Sequence, residues 1–124
     1  MATAPTERRR VVVIARPALG RRIADVLSAV GYEVYRTPSA FGIAQLHDRI
    51  RPDLAIIATN LLGQDAIAAA LELRAESGGL PVLLVGDASG DCRAANFPML
   101  SSVDPGHLTV TVARMLESTS RAVG

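Results

Sequence analysis

The sequence predicts one α/β domain in which a parallel sheet lies between two layers of helices. Apolar runs of strand length alternate with segments of helical periodicity along the 124 residues, as expected for a sheet built from right-handed crossovers. The run LAIIA, residues 54–58, is apolar on both alternating faces, which is typical of a strand covered on both sides. With 49% hydrophobic residues, the chain suits one compact domain and is too short for a second.

The first strand is predicted over residues 11–15, a β-branched run that follows the arginines of residues 8–10. We expect these arginines to form a solvated edge that keeps the strand soluble; an anion-binding patch is the alternative. Pro17 begins the first helix, because its missing N–H costs nothing in a first turn, and Gly31 ends it. The inward-facing residues expected from helical spacing are Leu19, Ile23, Val26, Leu27 and Val30.

The middle of the chain predicts two further strands and two further helices. A short alternating strand over residues 33–36 is expected near the sheet edge, and a helix over 39–50, capped by Ser39, closes before Pro52. The buried strand over 54–58 follows, and then a helix over 64–77 that the next two glycines end. The residues expected on the buried side of that helix are Ala66, Ile67, Ala70, Leu71 and Leu73.

The last third of the chain predicts weaker elements before a final helix. A strand over 80–85 is followed by a loop over 86–90 and by a short or irregular fourth helix over 91–96. A weak fifth strand is expected over 98–101. Asp104 as a cap and Pro105 as the first helical residue begin the last helix. Its expected buried residues are Leu108, Val112, Met115 and Leu116.

The expected domain covers residues 9–117, between a disordered tail over 1–8 and a segment over 118–124 that is a tail or the start of a linker. The amino terminus lacks the apolar region of a signal peptide, and no segment approaches the ~20 apolar residues of a membrane span. We therefore expect a cytoplasmic protein.

Composition excludes several kinds of chemistry. The 13 basic and 12 acidic residues give a net charge of +1, which calls for neither nucleic acid nor membrane. Every basic residue is arginine, so no lysine is present to form a Schiff base or a phosphate clamp. A single cysteine, Cys92, and two isolated histidines, His47 and His107, give neither a disulfide nor metal-ligand spacing. Aromatic residues are 3% of the chain, too few for base stacking, and no cofactor is expected.

Function is expected at the carboxyl ends of the strands, where open α/β sheets bind their ligands. The residues predicted to line this edge are Ala15, Arg16, Ala58, Thr59, Gly86, Asp87, Ser101 and Ser102. Arg16 is expected either to pair with Asp65 or Asp87 or to contact an anionic ligand. No nucleophile and base can be located together, so an enzyme is not expected.

Four segments, in this order and spacing, carry a family resemblance: GYEVYRT, RPDLAIIATNLLGQDA, LPVLLVGD and DPGHL. Over residues 9–117 the chain resembles the receiver domain of bacterial two-component response regulators. The resemblance implies the flavodoxin-like (CheY-like) fold, a doubly wound five-stranded parallel sheet in the order 2-1-3-4-5. In that family, an acidic pair after the first strand and an aspartate ending the third bind a divalent cation. The aspartate accepts a phosphoryl group, which a Thr or Ser after the fourth strand and a Lys after the fifth read.

Matched position by position, this chain lacks those groups. The acidic pair falls on Ala15 and Arg16, the phospho-acceptor on Ala58, the hydroxyl on Gly86 and the lysine on about Ser101. Alanine has no nucleophilic oxygen, and a hard cation is not held without clustered oxygen ligands. The resemblance therefore implies a degenerate pseudo-receiver that acts without phosphorylation.

Two functional hypotheses follow. The first is a non-catalytic protein-interaction or dimerisation module in a bacterial regulatory system, acting through the fourth helix, fifth strand and last helix. The residues expected on that surface are Phe97, Met99, Val103, Val110 and Arg114. The alternative is a sensor of a nucleotide or another small anion that uses Arg16, residues 8–10 and the 86–90 loop. The residues of that anion site are Arg16, Thr59, Asp87 and Ser102.

Overall fold

The computed structural model describes residues 9–37, 49–59, 66–77, 80–86, 99–100 and 104–123. In chain order its elements are β1 (Arg10–Ile14), α1 (Pro17–Ala29), β2 (Glu33–Thr37), β3 (Leu54–Ala58), α2 (Ala66–Ser77), β4 (Val82–Val85), β5 (Met99–Leu100) and α3 (Pro105–Val123). The helices predicted over residues 39–50 and 91–96 lie outside the described residues, apart from Arg49 and Ile50, which are helical.

The strands form one parallel sheet in the order β2-β1-β3-β4-β5. The predicted parallel sheet and the order of its first four strands are thereby confirmed. Val11 of β1 pairs with Val34 of β2 and with Leu54 of β3, so β1 lies inside the sheet and β2 at its edge. The fifth strand is two residues long and pairs with Leu84 and Val85 of β4.

Alternating strand residues divide the core into two clusters, one on each face of the sheet. On one face, Val11 and Val13 pack with residues of α1 and α3, including Ile23 and Leu108. On the other face, Val12 and Ile14 belong to a cluster with α2 that includes Leu73. Helices therefore cover both faces, and β1, β3 and β4 are buried throughout, apart from Arg10.

Two residues predicted to face inward are exposed. Val30 is 52% exposed because it follows the last residue of α1 and the chain turns away at Gly31, whose φ is +102°. Leu71 is 44% exposed, since at about 100° per residue it lies about 160° around the helix from the buried Leu73. Ala70 and Leu73 are buried as predicted.

The segment over residues 118–124, predicted to be a tail or the start of a linker, is helical as far as Val123, where α3 ends. No glycine or proline lies between Glu117 and Val123, and extending an existing helix costs far less than starting one. The helix therefore passes the boundary that the residue pattern predicts.

Candidate functional site

Two alanines lie side by side at the carboxyl edge of the sheet. Ile14 pairs with Ile57, so Ala15, one residue further along, lies beside Ala58. Both alanines belong to the core cluster that faces α1 and α3, and they are 3% and 0% exposed. Packed methyl groups thus occupy the two strand ends where the family resemblance implies carboxylates, and neither alanine side chain has an oxygen atom that could bind a cation or accept a phosphoryl group.

Arg16 lies between Ala15 and the first residue of α1. It is exposed and occupies the N-cap position with no side-chain cap hydrogen bond, while its carbonyl accepts the Gly20 N–H at 2.8 Å. The predicted acidic partners, Asp65 and Asp87, lie outside the described residues. Arg16 therefore lies at the carboxyl end of β1, directly after Ala15, with its side chain exposed.

Thr59 and Gly86 close the edge between β3 and β4. The Thr59 N–H donates to the Val85 carbonyl at 2.9 Å, and the Gly86 N–H donates to the Leu100 carbonyl at 2.8 Å. Gly86 has a φ of +136°, and a Cβ built on it would overlap Thr59 Oγ1 and lie 3.3 Å from Thr59 Cβ. The hydroxyl at this edge thus belongs to residue 59, and it occupies the volume of a side chain at residue 86. The sequence alone gave no signal of this fit.

Only some of the other predicted site residues lie within the described part of the chain. Ser101, Ser102 and Asp87 of the predicted edge lie outside the described residues, as do Phe97 and Val103 of the predicted interaction surface. Met99 contributes its backbone to β5, where it pairs with Leu84. On α3, Val110 is 50% exposed and Arg114 is also exposed, so these two residues lie on the surface.

Arg9 and Arg10 lie at the opposite edge of the sheet and are paired there. The Arg10 N–H donates to Asp53 Oδ2 at 2.9 Å, and its Nη1 donates to the Ile50 carbonyl at 2.8 Å. Ion pairs join Arg10 Nε to Glu33 Oε2 at 3.6 Å and Arg9 Nη1 to Asp53 Oδ1 at 4.0 Å. We call Arg9, Arg10, Glu33 and Asp53 the amino-edge cluster.

The position of the amino-edge cluster contradicts one part of the predicted anion site. Ala15 lies five residue steps beyond Arg10 along extended β1, a span of about 17 Å at the usual rise per residue. A small anion that contacts Arg16 therefore does not reach Arg9 or Arg10, and both of these arginines already contact carboxylates.

A groove lies beside β1 on the side away from Gly86, between the start of α1 and the edge strand β2. Its volume is about 460 Å³, and its lining residues are Ala15, Pro17, Gly20, Val34, Tyr35, Arg36 and Thr37. Arg36 is exposed, and it is the one basic residue among those that line this groove. Sequence reasoning missed Arg36 because alternation along a strand does not show which helix covers each face.

Among the described residues, no group of three or more histidine, cysteine, aspartate or glutamate side chains is placed to hold a metal ion. Within the same part of the chain, no helix combines the length and apolarity needed to cross a membrane.

The parallel sheet, its strand order and the helices on both faces define a class: this is the fold of response regulator receiver (CheY-like) domains. The receiver domain from Methanospirillum hungatei JF-1 superposes with a TM-score of 0.83 at 18% identity, over 94% of this chain and 99% of that one. The signal receiver domain of an HD domain-containing protein from Pseudomonas fluorescens Pf-5 gives 0.82 at 20% identity, over 98% and 96%.

A third solved structure, the chemotaxis protein CheY4 of Vibrio cholerae, has a TM-score of 0.77 at 16% identity, over 89% of this chain and 99% of that one. No protein-family model matches the chain, and no curated protein matches it. The receiver fold is thus established by structure, while the identities are too low to carry the chemistry of these proteins to this chain.

Proposed function

We propose that this domain is a receiver-like signalling module of a bacterial two-component system that acts by protein recognition, without phosphoryl transfer. The observation that carries the proposal is Ala58, a fully buried methyl at the position where the family resemblance puts the phospho-acceptor. Phosphoryl transfer to a receiver needs a carboxylate nucleophile, and Ala58 and its neighbour Ala15 supply none. In this proposal the domain is not an enzyme and acts in the cytoplasm.

The uncharged side chains of Ala15 and Ala58 at the carboxyl edge also bear on metal binding. Clustered carboxylates repel one another, and a bound cation relieves that repulsion. Ala15 and Ala58 remove the repulsion without a ligand, so the domain needs no magnesium to reach its folded form. A partner then meets the same surface whether or not a phosphodonor is present, and the signal comes from the amount or location of the partners.

A small-molecule phosphodonor tests this proposal. We expect acetyl phosphate with Mg²⁺ to leave the intact mass unchanged and to leave the amide shifts of Ala58 and Thr59 unchanged. A receiver that carries the family's aspartate, treated in parallel, shows that the donor is active. A stoichiometric, hydroxylamine-sensitive phosphoryl adduct on this chain would contradict the proposal.

The alternative function, sensing of a small anion, has less support. Arg16 remains available at the carboxyl edge, but the Arg9 and Arg10 side chains lie at the other edge in ion pairs. A thermal-shift titration with a panel of nucleotides separates the two functions. Stabilisation by a nucleotide that Arg16→Ala abolishes, and that Arg22→Ala on the exposed face of α1 leaves intact, would favour the sensor.

A further inference from the structure

The Thr59 side chain occupies the space next to Gly86 at the carboxyl ends of β3 and β4. Thr59 is half-buried, and its Oγ1 occupies the volume that a Cβ on residue 86 would fill. Gly86 also has a φ of +136°, a backbone conformation that glycine adopts readily and other residues do not. Two separate features, a contact and a dihedral angle, therefore require that residue 86 have no side chain.

We propose that Thr59 and Gly86 form a latch that holds the carboxyl ends of β3 and β4 in one arrangement. Backbone hydrogen bonds run on from the latch on both sides, from Thr59 to Val85 and from Gly86 to Leu100. The Thr59 side chain fits against β4 only because residue 86 is glycine. The latch thus joins the ends of β3 and β4, and the backbone hydrogen bond from Gly86 to Leu100 continues from it to β5.

The consequence for signalling rests on the proposed function, although the latch itself does not. A switch needs an element with two discrete arrangements that a signal can bias. With Thr59 packed where a side chain at residue 86 would lie, residue 86 has no side chain that can swing between two positions. The latch therefore holds the ends of β3 and β4 in one arrangement, and a change of Ala58 to a carboxylate would leave these two strand ends unable to respond.

A double-mutant cycle tests the latch. We expect Gly86→Ala to raise the unfolding equilibrium constant at least about tenfold more when residue 59 is threonine than in the Thr59→Ala background. The strain of the positive φ at residue 86 is present in both backgrounds and cancels, so the difference reports the contact with Oγ1. Urea unfolding of the four proteins measures it. Equal penalties in the two backgrounds would overturn the proposal.

A second measurement covers the case in which Gly86→Ala does not fold. Thr59→Ala alone removes the packed hydroxyl, and we expect the amide hydrogen of Gly86 to exchange at least about tenfold faster in this variant. Thr109→Ala is the matched control, because Thr109 Oγ1 bonds within α3 to the Pro105 carbonyl at 2.7 Å, away from the edge. An unchanged Gly86 exchange rate in Thr59→Ala would also overturn the latch.

The two proposals fail separately. A phosphoryl adduct on the wild-type chain removes the proposed function and leaves the result of the cycle standing. Equal penalties in the cycle remove the latch, while the absence of a phosphoryl adduct would still support recognition without phosphorylation.

Discussion

At the scale of single residues, Tyr35 gives a sharp prediction for alkaline pH. The Tyr35 hydroxyl donates to Glu33 Oε1 at 2.5 Å. This hydrogen bond, then partial burial and the Glu33 charge, raise the pKa of Tyr35 above its ordinary value of 10.0, while Arg10 opposes the shift. Because the folded pKa lies above the unfolded pKa, the stabilisation is complete below the unfolded value and is lost as pH rises through the folded one.

We therefore expect the wild-type protein to lose stability more steeply above pH 10 than Tyr35→Phe does. The urea midpoint, measured across that pH range, checks this. All basic side chains are arginine and remain charged there, so lysine titration does not obscure the effect. Tyr32→Phe is the matched control for the removal of a tyrosine hydroxyl. If the urea midpoint of Tyr35→Phe fell with pH as steeply as that of the wild-type protein, the hydrogen bond to Glu33 would not contribute to stability.

At the scale of elements, the exposed face of α3 is the described part of the proposed interaction surface. Val110 is 50% exposed, and burial of such a side chain against a partner contributes about 1–2 kcal/mol. If this face binds a second copy, we expect Val110→Glu to weaken self-association at least about tenfold, because a charge is then desolvated at the contact. Sedimentation equilibrium measures the change.

The chain supplies a matched control for that experiment. Val30 follows α1 and is 52% exposed, so Val30→Glu makes the same chemical change at nearly the same exposure on another face. It should leave self-association unchanged. If both variants associate like the wild-type protein, or if the wild-type protein is a monomer, α3 does not form a self-association interface.

Local chemistry made some elements predictable. The start of α3 was fixed by Asp104, whose Oδ2 accepts the His107 N–H at 3.1 Å and whose carbonyl accepts the Leu108 N–H at 2.9 Å. That cap outweighs the strand-like run around Val110, which the structure shows as helix. The ends of helices without a breaker were less predictable, as the extension of α3 beyond Glu117 shows, because tertiary contacts and helix propagation decide them.

The candidate site was predictable only in part, for a related reason. The sequence places Ala15 and Ala58 at the ends of two buried strands, and parallel pairing brings such ends together. The fit of Thr59 against Gly86 depends on the separation of two strands and on one backbone dihedral angle, neither of which a residue pattern encodes. The partners of Arg10 were missed because they come from β2 and the residues just before β3, which are distant in the chain.

At the scale of the whole molecule, charge is distributed unequally between the two ends of the sheet. At the amino edge, Arg9 and Arg10 meet Glu33 and Asp53 in exposed pairs, each contributing at most about 1 kcal/mol. Among the described residues of the carboxyl edge, the strand ends carry methyl groups, the hydroxyls of Thr37 and Thr59, and a glycine. The described part of this edge therefore holds no pair of like charges where the family resemblance implies a cation site.

Restoring that repulsion tests whether the two strand ends form one pocket. We expect Ala15→Asp with Ala58→Asp to lower the free energy of unfolding at neutral pH by about 3 kcal/mol, because two adjacent carboxylates lose solvent. Desolvation and mutual repulsion raise their folded pKa values, so the stability of the variant falls as pH rises through those values. Mg²⁺ should recover part of the loss by binding the folded form.

Urea unfolding from acid to neutral pH, with and without Mg²⁺, measures both effects. Ala75→Asp on the exposed side of α2 is the matched control, since an added surface carboxylate changes stability by about 0.5 kcal/mol or less. The control should respond to neither pH nor Mg²⁺ in this way. If the double variant behaves like the control, the ends of β1 and β3 do not share a pocket, and the loss of a cation site no longer explains why alanines occupy them.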